Sequence, residues 1–374
     1  MNTRRQFIGG AILTGFAGCT TSSFFTETPG THYAVSVLGD THFDTEPESV
    51  YHSHYDESNR WAKIQHAEFK RNGEMWRERC RTLLAASAAC ARQQRTDFVL
   101  QLGDLIQGDC DDVPTHQKML ADCIRLFRDA YPEKLPFFTV MGNHDFRGKG
   151  ARKAYLDFAE PFMSNEAKAP AKYPVFSFRH GPDRWIFCDF EMRDLAPLCA
   201  CLEDDPAARH TFLVTHGPFT CPDSAGSPRW RLAGDHACDA QRTRLYELLS
   251  RRHAIVLSGH THTVACYRHV NAFGGFSEFT ANSVWKAPEL ATAEPICDDP
   301  AKYGQIYLDK MDEKKRADYQ SDTAFFRPGL KAYFYNNAAG HFRLNVGPST
   351  VTMDFYPGAA TTPARTFDLT AGRY

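Results

Sequence analysis

The stretch Phe137-Phe138-Thr139-Val140-Met141 runs straight into Gly142-Asn143-His144-Asp145. An apolar, β-prone run that stops at a glycine and then presents an amide, an imidazole and a carboxylate predicts a buried strand with polar side chains at its C-terminal edge. Four more runs end alike: Val35 to Gly39 before Asp40-Thr41-His42, and Phe98 to Leu102 before Gly103-Asp104. The others are Phe212 to Thr215 before His216-Gly217-Pro218, and Ile255 to Ser258 before Gly259-His260-Thr261-His262. Open α/β sheets place ligands at the carboxyl ends of their strands, so a chain with five such ends is constrained to an α/β fold with one polar site.

Between these runs the pattern is helical. Met75, Trp76, Leu83, Leu84 and Ala88 recur at helical spacing from Glu74 to about Gln94, and Pro114 opens a second helix carrying Met119, Leu120, Ile124 and Phe127. Tyr155 to Phe162 predicts a third helix, and about Gln241 to Arg251 another. Val175 to Arg179, a turn at Gly181-Pro182-Asp183, and Trp185 to Asp189 predict a hairpin belonging to a second, antiparallel sheet. Further strands are expected at Val264 to Val270 and Phe276 to Ala281. A charged insertion then runs from Asp298 to Asp322. A last antiparallel group follows at Lys331 to Tyr335, Phe342 to Val346 and Val351 to Tyr356. A long polar insertion, His42 to about Gly73, holds His52, His54, Asp56 and Glu57; His52 and His54 are read as loop residues in solvent, with a role in a substrate cap as the alternative.

The ordered set Asp-x-His, Gly-Asp, Gly-Asn-His-Asp, His and Gly-His-x-His resembles the signature of the calcineurin-like metallophosphoesterases, which hydrolyse phosphoesters at a two-metal centre. The resemblance covers residues 31 to about 357, and it implies an α/β/β/α sandwich of two mixed sheets flanked by helices. Residue by residue, it implies that Asp40, His42, Asp104 and His262 hold one divalent ion and that Asp104, Asn143, His216 and His260 hold the other. Asp104 is then the bridge, and a metal-bridging hydroxide the nucleophile. The chemistry of the donors agrees: imidazoles, carboxylates and an amide without thiolate suit Mn, Fe, Zn or Co. His144 is left uncoordinated, free to assist the leaving oxygen. Asp145 either fixes the His144 tautomer or caps the loop. Arg147 and Lys149 either add positive charge for the phosphate or are solvated loop residues.

The sub-type is narrowed by one absence. Leu105-Ile106-Gln107 follows Gly103-Asp104 without the tyrosine that purple acid phosphatases carry three residues after that aspartate, so that branch is not expected, and the resemblance is nearest to phosphodiesterases of the cyclic-nucleotide or glycerophosphodiester type. A phosphomonoesterase of acid or alkaline type is the alternative, and a metal-binding scaffold without catalysis the non-enzyme reading. Gly217 to Asp239, with Trp230 between Arg229 and Arg231, is long enough for a lid. Its tryptophan reads either as a stacking site for a base or as a surface aromatic.

At the amino end, Arg4-Arg5 and Phe7 precede an apolar stretch to Gly18. This is short of the ~20 residues that span a bilayer, so residues 1–18 resemble a twin-arginine export signal rather than a membrane helix. Phe16-Ala17-Gly18-Cys19 resembles a lipoprotein box, with Cys19 a candidate lipid anchor. A Ser/Thr/Pro-rich linker, 19–31, leads to one domain, 32–374. The expected location is the bacterial periplasm or cell envelope. The formal net charge is −2 with no dense Lys/Arg block, so the expected partner is a small phosphoester and not a nucleic acid. Twelve cysteines without a Cys-x-x-Cys pair are read as buried small hydrophobes, or as one or two bridges.

Overall fold

A computed structural model of the chain describes residues 32–44, 51–52, 60–132, 135–220, 231–232, 239–309 and 311–371. The export signal, Cys19, the linker, His54, Asp56, Glu57, Arg229 and Trp230 lie outside the described residues.

The first sheet starts with β1 (Tyr33–Leu38), β2 (Phe98–Gln101) and β3 (Phe137–Thr139), all parallel. Between them lie α1 (Arg60–Met75), α2 (Arg81–Gln93) and α3 (Val113–Ala130), and after them α4 (Ala151–Ala167). The hairpin of β4 (Val175–His180) and β5 (Asp183–Cys188) opens the second sheet. That sheet continues through α5 (Ala196–Glu203), β6 (Thr211–Val214), α6 (Asp239–Arg251), β7 (Ile255–Ser258), β8 (Val264–Asn271) and β9 (Gly274–Thr280). Then come α7 (Gln305–Leu308), α8 (Glu313–Thr323), β10 (Leu330–Asn336), β11 (Gly340–Val346), β12 (Val351–Pro357) and β13 (Arg365–Asp368). The spatial orders are β13-β12-β11-β1-β2-β3 and β10-β8-β9-β7-β6-β5-β4.

Burial explains the unbroken apolar runs. Side chains alternate across a strand, and here both faces are covered. Phe212 and Val214 of β6 point into the core between the sheets, where the Trp185 ring stacks on Phe212 with centroids 4.1 Å apart. Leu213 points the other way, into the layer under α5 and α6 with Leu198, Leu245 and Leu249. On the first sheet, Leu100 joins the central core while Val99 packs beneath α2 and α3 with Leu84 and Leu120. The result is the four-layer α/β/β/α sandwich of two mixed sheets that the sequence predicted.

Four local expectations change. The hairpin does not belong to an antiparallel sheet: α5 carries the chain across, so β5 and β6 run parallel, as strands joined by a helical crossover do. The last antiparallel group is split. β10 pairs with β8 in the second sheet, while β11, β12 and β13 complete the first. The first helix begins at Arg60 rather than Glu74 and continues through a π-helical turn, Trp76–Cys80, into α2. Gly73 in a polar sequence hides that continuity from pattern reading. The charged insertion contains α7 and α8, with Tyr303, Tyr319 and Phe326 buried against the second sheet. By contrast, α3 starts where Pro114 marked it, the Asp112 carboxylate accepting the Thr115 N–H at 2.8 Å.

No disulfide joins any two of the nine cysteines among the described residues. No helix among the described residues is long and apolar enough to cross a membrane.

Candidate metal centre

The five polar strand ends meet at one edge, where the two sheets lie side by side. Asp40 and His42 follow β1, Asp104 follows β2, and Asn143, His144 and Asp145 follow β3. His216 follows β6, while His260 and His262 follow β7. Four of these residues, His42 (φ 45°), Asp104 (φ 51°), His260 (φ 72°) and His262 (φ 52°), sit in the left-handed region. Backbone strain of about 1–3 kcal/mol at each such position persists only where surrounding bonds fix it. Here the Asp104 carbonyl accepts the N–H groups of Thr41 and His42 at 3.0 and 2.9 Å. The Asp40 carboxylate accepts the His260 N–H at 2.9 and 3.1 Å.

The donor atoms form two groups that share one residue. Asp40, His42, Asp104 and His262 each place one donor atom within 4.8 Å of the others, and so do Asp104, His216 and His260. His42 and His262 bring their Nε2 atoms to 3.0 Å, and His216 Nε2 lies 3.0 Å from His260 Nδ1. Asp104 Oδ2 is 3.3 Å from His216 Nε2 and 3.7 Å from His42 Nε2, while Asn143 Oδ1 is 3.3 Å from His216 Nε2.

These atoms fit a divalent cation. Two imidazole nitrogens that each sit ~2.0–2.1 Å from one ion are themselves about 3 Å apart, which is the spacing found in both histidine pairs. His216 gives its Nδ1–H to the Leu102 carbonyl at 2.8 Å, which leaves the Nε2 lone pair facing Asp104. The electrostatics agree. Burial holds His42 near pKa 4 and pushes His260 and His262 well below the ordinary histidine value, so these rings are neutral, the form that ligates. Burial, with the Asp104 charge beside it, raises the Asp40 carboxyl. Burial disfavours charge on His216 and Asp104 alike, but their mutual attraction prevails, lifting the imidazole to about 9 and holding the carboxyl low. A buried pair of carboxylates among imidazoles calls for positive charge, and protons and metal compete for it.

Glycine spacing makes the centre compact. A β-carbon at Gly142 would collide with the backbone nitrogen and Oδ1 of Asp104, and one at Gly103 (φ 89°) would sit 2.5 Å from His216 Nδ1. Gly142→Ala is therefore expected to displace Asp104, destabilise the fold by about 1–3 kcal/mol and lower its metal content. Thermal melting and elemental analysis check this, and a variant with full metal content and an unchanged melting temperature would contradict the packing.

Other predicted residues fall differently. Asp145 does not touch the His144 ring: its carboxylate accepts the N–H groups of Ile106 and Gly142 at 3.1 and 2.8 Å. The partner of His144 Nδ1 is instead the Gln107 carbonyl at 2.9 Å, and the His144 N–H donates to Asp104 Oδ1 at 2.7 Å. Arg147 is no solvated loop residue. It lies between Asp109 (2.6 Å) and Glu68 (3.1 Å), with Nη1 2.8 Å from His144 Nε2. Lys149 is exposed. His52, expected in solvent, is enclosed: its ring stacks on Phe69 with centroids 4.2 Å apart, its Nδ1 meets the Asp109 carbonyl at 3.0 Å, and Asp44 lies 3.3 Å from Nε2. Of the expected lid, residues 217–220, Arg231 and Leu232 are described and buried and Asp239 opens α6, while 221–230 and 233–238 lie outside the described residues.

Glu68, Asp109 and Phe190 were not anticipated. Phe190 packs against the His216 and His260 rings at 5.2 Å each, and no motif marks it. Glu68 lies in the insertion read as a polar loop.

The family model for calcineurin-like phosphoesterases matches residues 34–264, from β1 to the start of β8 and across every residue of the two donor groups. The chain belongs to the calcineurin-like phosphoesterases. It is thus a hydrolase of phosphoester bonds. No protein of curated function matches this phosphoesterase. Among solved structures it is similar to purple acid phosphatase PPD1 from yellow lupin (Lupinus luteus) seeds, with a TM-score of 0.50 and 12% identity over 91% of this chain and 54% of that one. A dimetal phosphatase from Danio rerio gives 0.49 and 13% over 90% and 98%. GAP50, the anchor in the inner membrane complex of Plasmodium, gives 0.48 and 14% over 91% and 89%. At such identities the likeness is one of fold.

Proposed function

We propose that this phosphoesterase hydrolyses small phosphodiesters at a centre of two divalent cations. Asp40, His42, Asp104 and His262 would hold one, and Asp104, Asn143, His216 and His260 the other. The observation that carries this is the sharing of the Asp104 carboxylate by both donor groups. Cations bound there polarise phosphoryl oxygens and activate water. The remaining work falls to side chains at the rim. Nδ1 of His144 faces the Gln107 carbonyl, so Nε2, which Arg147 Nη1 approaches at 2.8 Å, is the ring atom that would turn to the leaving oxygen once a phosphoryl group draws the guanidinium away. Arg147, placed beside it, supplies a guanidinium to a phosphoryl oxygen.

The test is a panel of mono- and diesters with Mn-, Fe-, Zn- and Co-loaded protein against a chelator-stripped control. Metal-dependent hydrolysis with diesters preferred supports the reading. A preference for monoesters replaces it with a phosphomonoesterase, and tight metal binding without hydrolysis replaces it with a scaffold.

The reading extends to export. Residues 1–18 would direct the chain through a twin-arginine route to the periplasm or envelope, with Cys19 available for acylation. Arg4→Lys with Arg5→Lys is expected to hold the precursor in the cytoplasm on cell fractionation, and undiminished export of that variant would dismiss the signal.

A further inference from the structure

The centre's motifs supply every candidate ligand, but the charged groups at its rim, Arg147, Asp109 and Glu68, come from outside them, and Glu68 comes from a separate helix. Glu68 lies on α1, in the insertion between the first and second motifs, and crosses 79 positions of sequence to reach Arg147. Its Oε2 is 3.1 Å from Arg147 Nη2, and its Oε1 is 3.5 Å from Nη1 and 3.7 Å from His144 Nε2. One residue further in, the His144 backbone N–H binds Asp104 Oδ1. The Glu68 carboxylate thus stands at the side of the centre where a phosphoryl group would meet His144 and Arg147.

This placement is built. Phe69, the next residue, is buried and stacks on His52. Asn72, one helical turn on, is buried and donates to Gln107 Oε1 at 2.6 Å, on the residue whose carbonyl orients His144. Asp109 Oδ2 holds the other side of the Arg147 guanidinium at 2.6 Å. The single positive charge of Arg147 therefore lies between two carboxylates, and the three side chains together carry a net charge of −1.

We infer that Glu68 is a specificity-determining residue, biasing the centre against phosphomonoester dianions and toward phosphodiester monoanions. The inference deepens the phosphodiesterase reading and rests on it. A phosphomonoester, with its second pKa near 6, carries close to two negative charges above neutral pH, while a diester carries one. The fixed carboxylate repels the dianion more strongly and competes with its extra oxygen charge for Arg147. Glu68 and Arg147 are only partly exposed, 25% and 21% by side chain, so solvent screens this difference incompletely.

The experiment uses the full Mn-loaded chain at pH 8 with 4-nitrophenyl phosphate and methyl 4-nitrophenyl phosphate, which share a leaving group and differ by one charge. Glu68→Gln is expected to raise the monoester-to-diester ratio of kcat/KM about tenfold, and Glu68→Asp to leave it within about twofold. Calorimetric binding of phenylphosphonate and its monomethyl ester should show the same shift without turnover. Equal changes for both esters in Glu68→Gln would mean that Glu68 only props α1, and would overturn the inference. Should the parent hydrolyse neither ester, the phosphodiesterase reading fails by itself, and the phosphonate ratio still decides the charge claim. If Glu68→Gln does not fold, Glu68→Ala takes its place in both measurements, and an unchanged phosphonate ratio in that variant overturns the inference.

Discussion

Asp104→Asn is expected to reduce the bound metal from two equivalents to below one and to lower activity at least ~10²-fold, since loss of even an outer-shell partner of a ligand costs 10–100-fold. Among the described residues, Asp104 is the one that belongs to both donor groups. An amide there keeps one acceptor oxygen for the His144 N–H but loses the charge and the second donor. The loss should fall chiefly on metal, and because the buried Asp104–His216 ion pair is lost as well, the metal-free variant should melt somewhat below the metal-free parent. His42→Ala and His216→Ala provide the contrast, because each lies in one group only. The first should chiefly weaken one ion and the second the other. Elemental analysis after gel filtration measures this, and two tightly held equivalents in Asp104→Asn would end the bridging assignment.

His144→Ala is expected to lose ~10²–10⁴-fold on alkyl phosphoesters, the usual worth of a positioned proton donor, and distinctly less on nitrophenyl esters. Nitrophenolate departs readily as an anion, whereas an alkoxide needs a proton. His144 is not among the donors of either metal group, so its removal should leave metal content intact. Equal losses on both ester classes would show that the ring positions the phosphoryl group instead, with Arg147 beside it. Asp145→Asn belongs to a different case. The Asp145 carboxylate holds the N–H groups of Gly142 and Ile106, and its backbone carbonyl meets His116 Nε2 at 2.8 Å. It secures the loop that carries Asn143 and His144, and it does not orient the imidazole.

The difference between His144 and Asp145 shows how far local sequence reaches. Both were legible as residues at the polar edge because they follow a buried strand at its carboxyl end. Their partners were not, because His144 to Phe146 forms a 3-10 turn, in which consecutive side chains point apart. Adjacency in the chain therefore predicted a contact that the backbone forbids. His52 shows the converse. In a polar stretch it reads as solvated, yet Phe69 and Asp44 enclose it, and neither adjoins it in sequence.

The sequence by itself determined the α/β class, every strand but β13 and the edge at which the polar strand ends gather. Those features follow from steric alternation, burial on both faces and the chemistry of carboxylate and imidazole, all of which act over a few residues. The tertiary structure alone decided that β10 leaves its neighbours for the second sheet and that Gln107 orients His144. It alone brought Glu68 from α1 to Arg147. Each of these is a pairing between distant segments, chosen because the assembled sheets and helices leave one arrangement in which buried apolar faces are covered and buried polar groups find partners, a condition on the whole chain that no short window of residues contains.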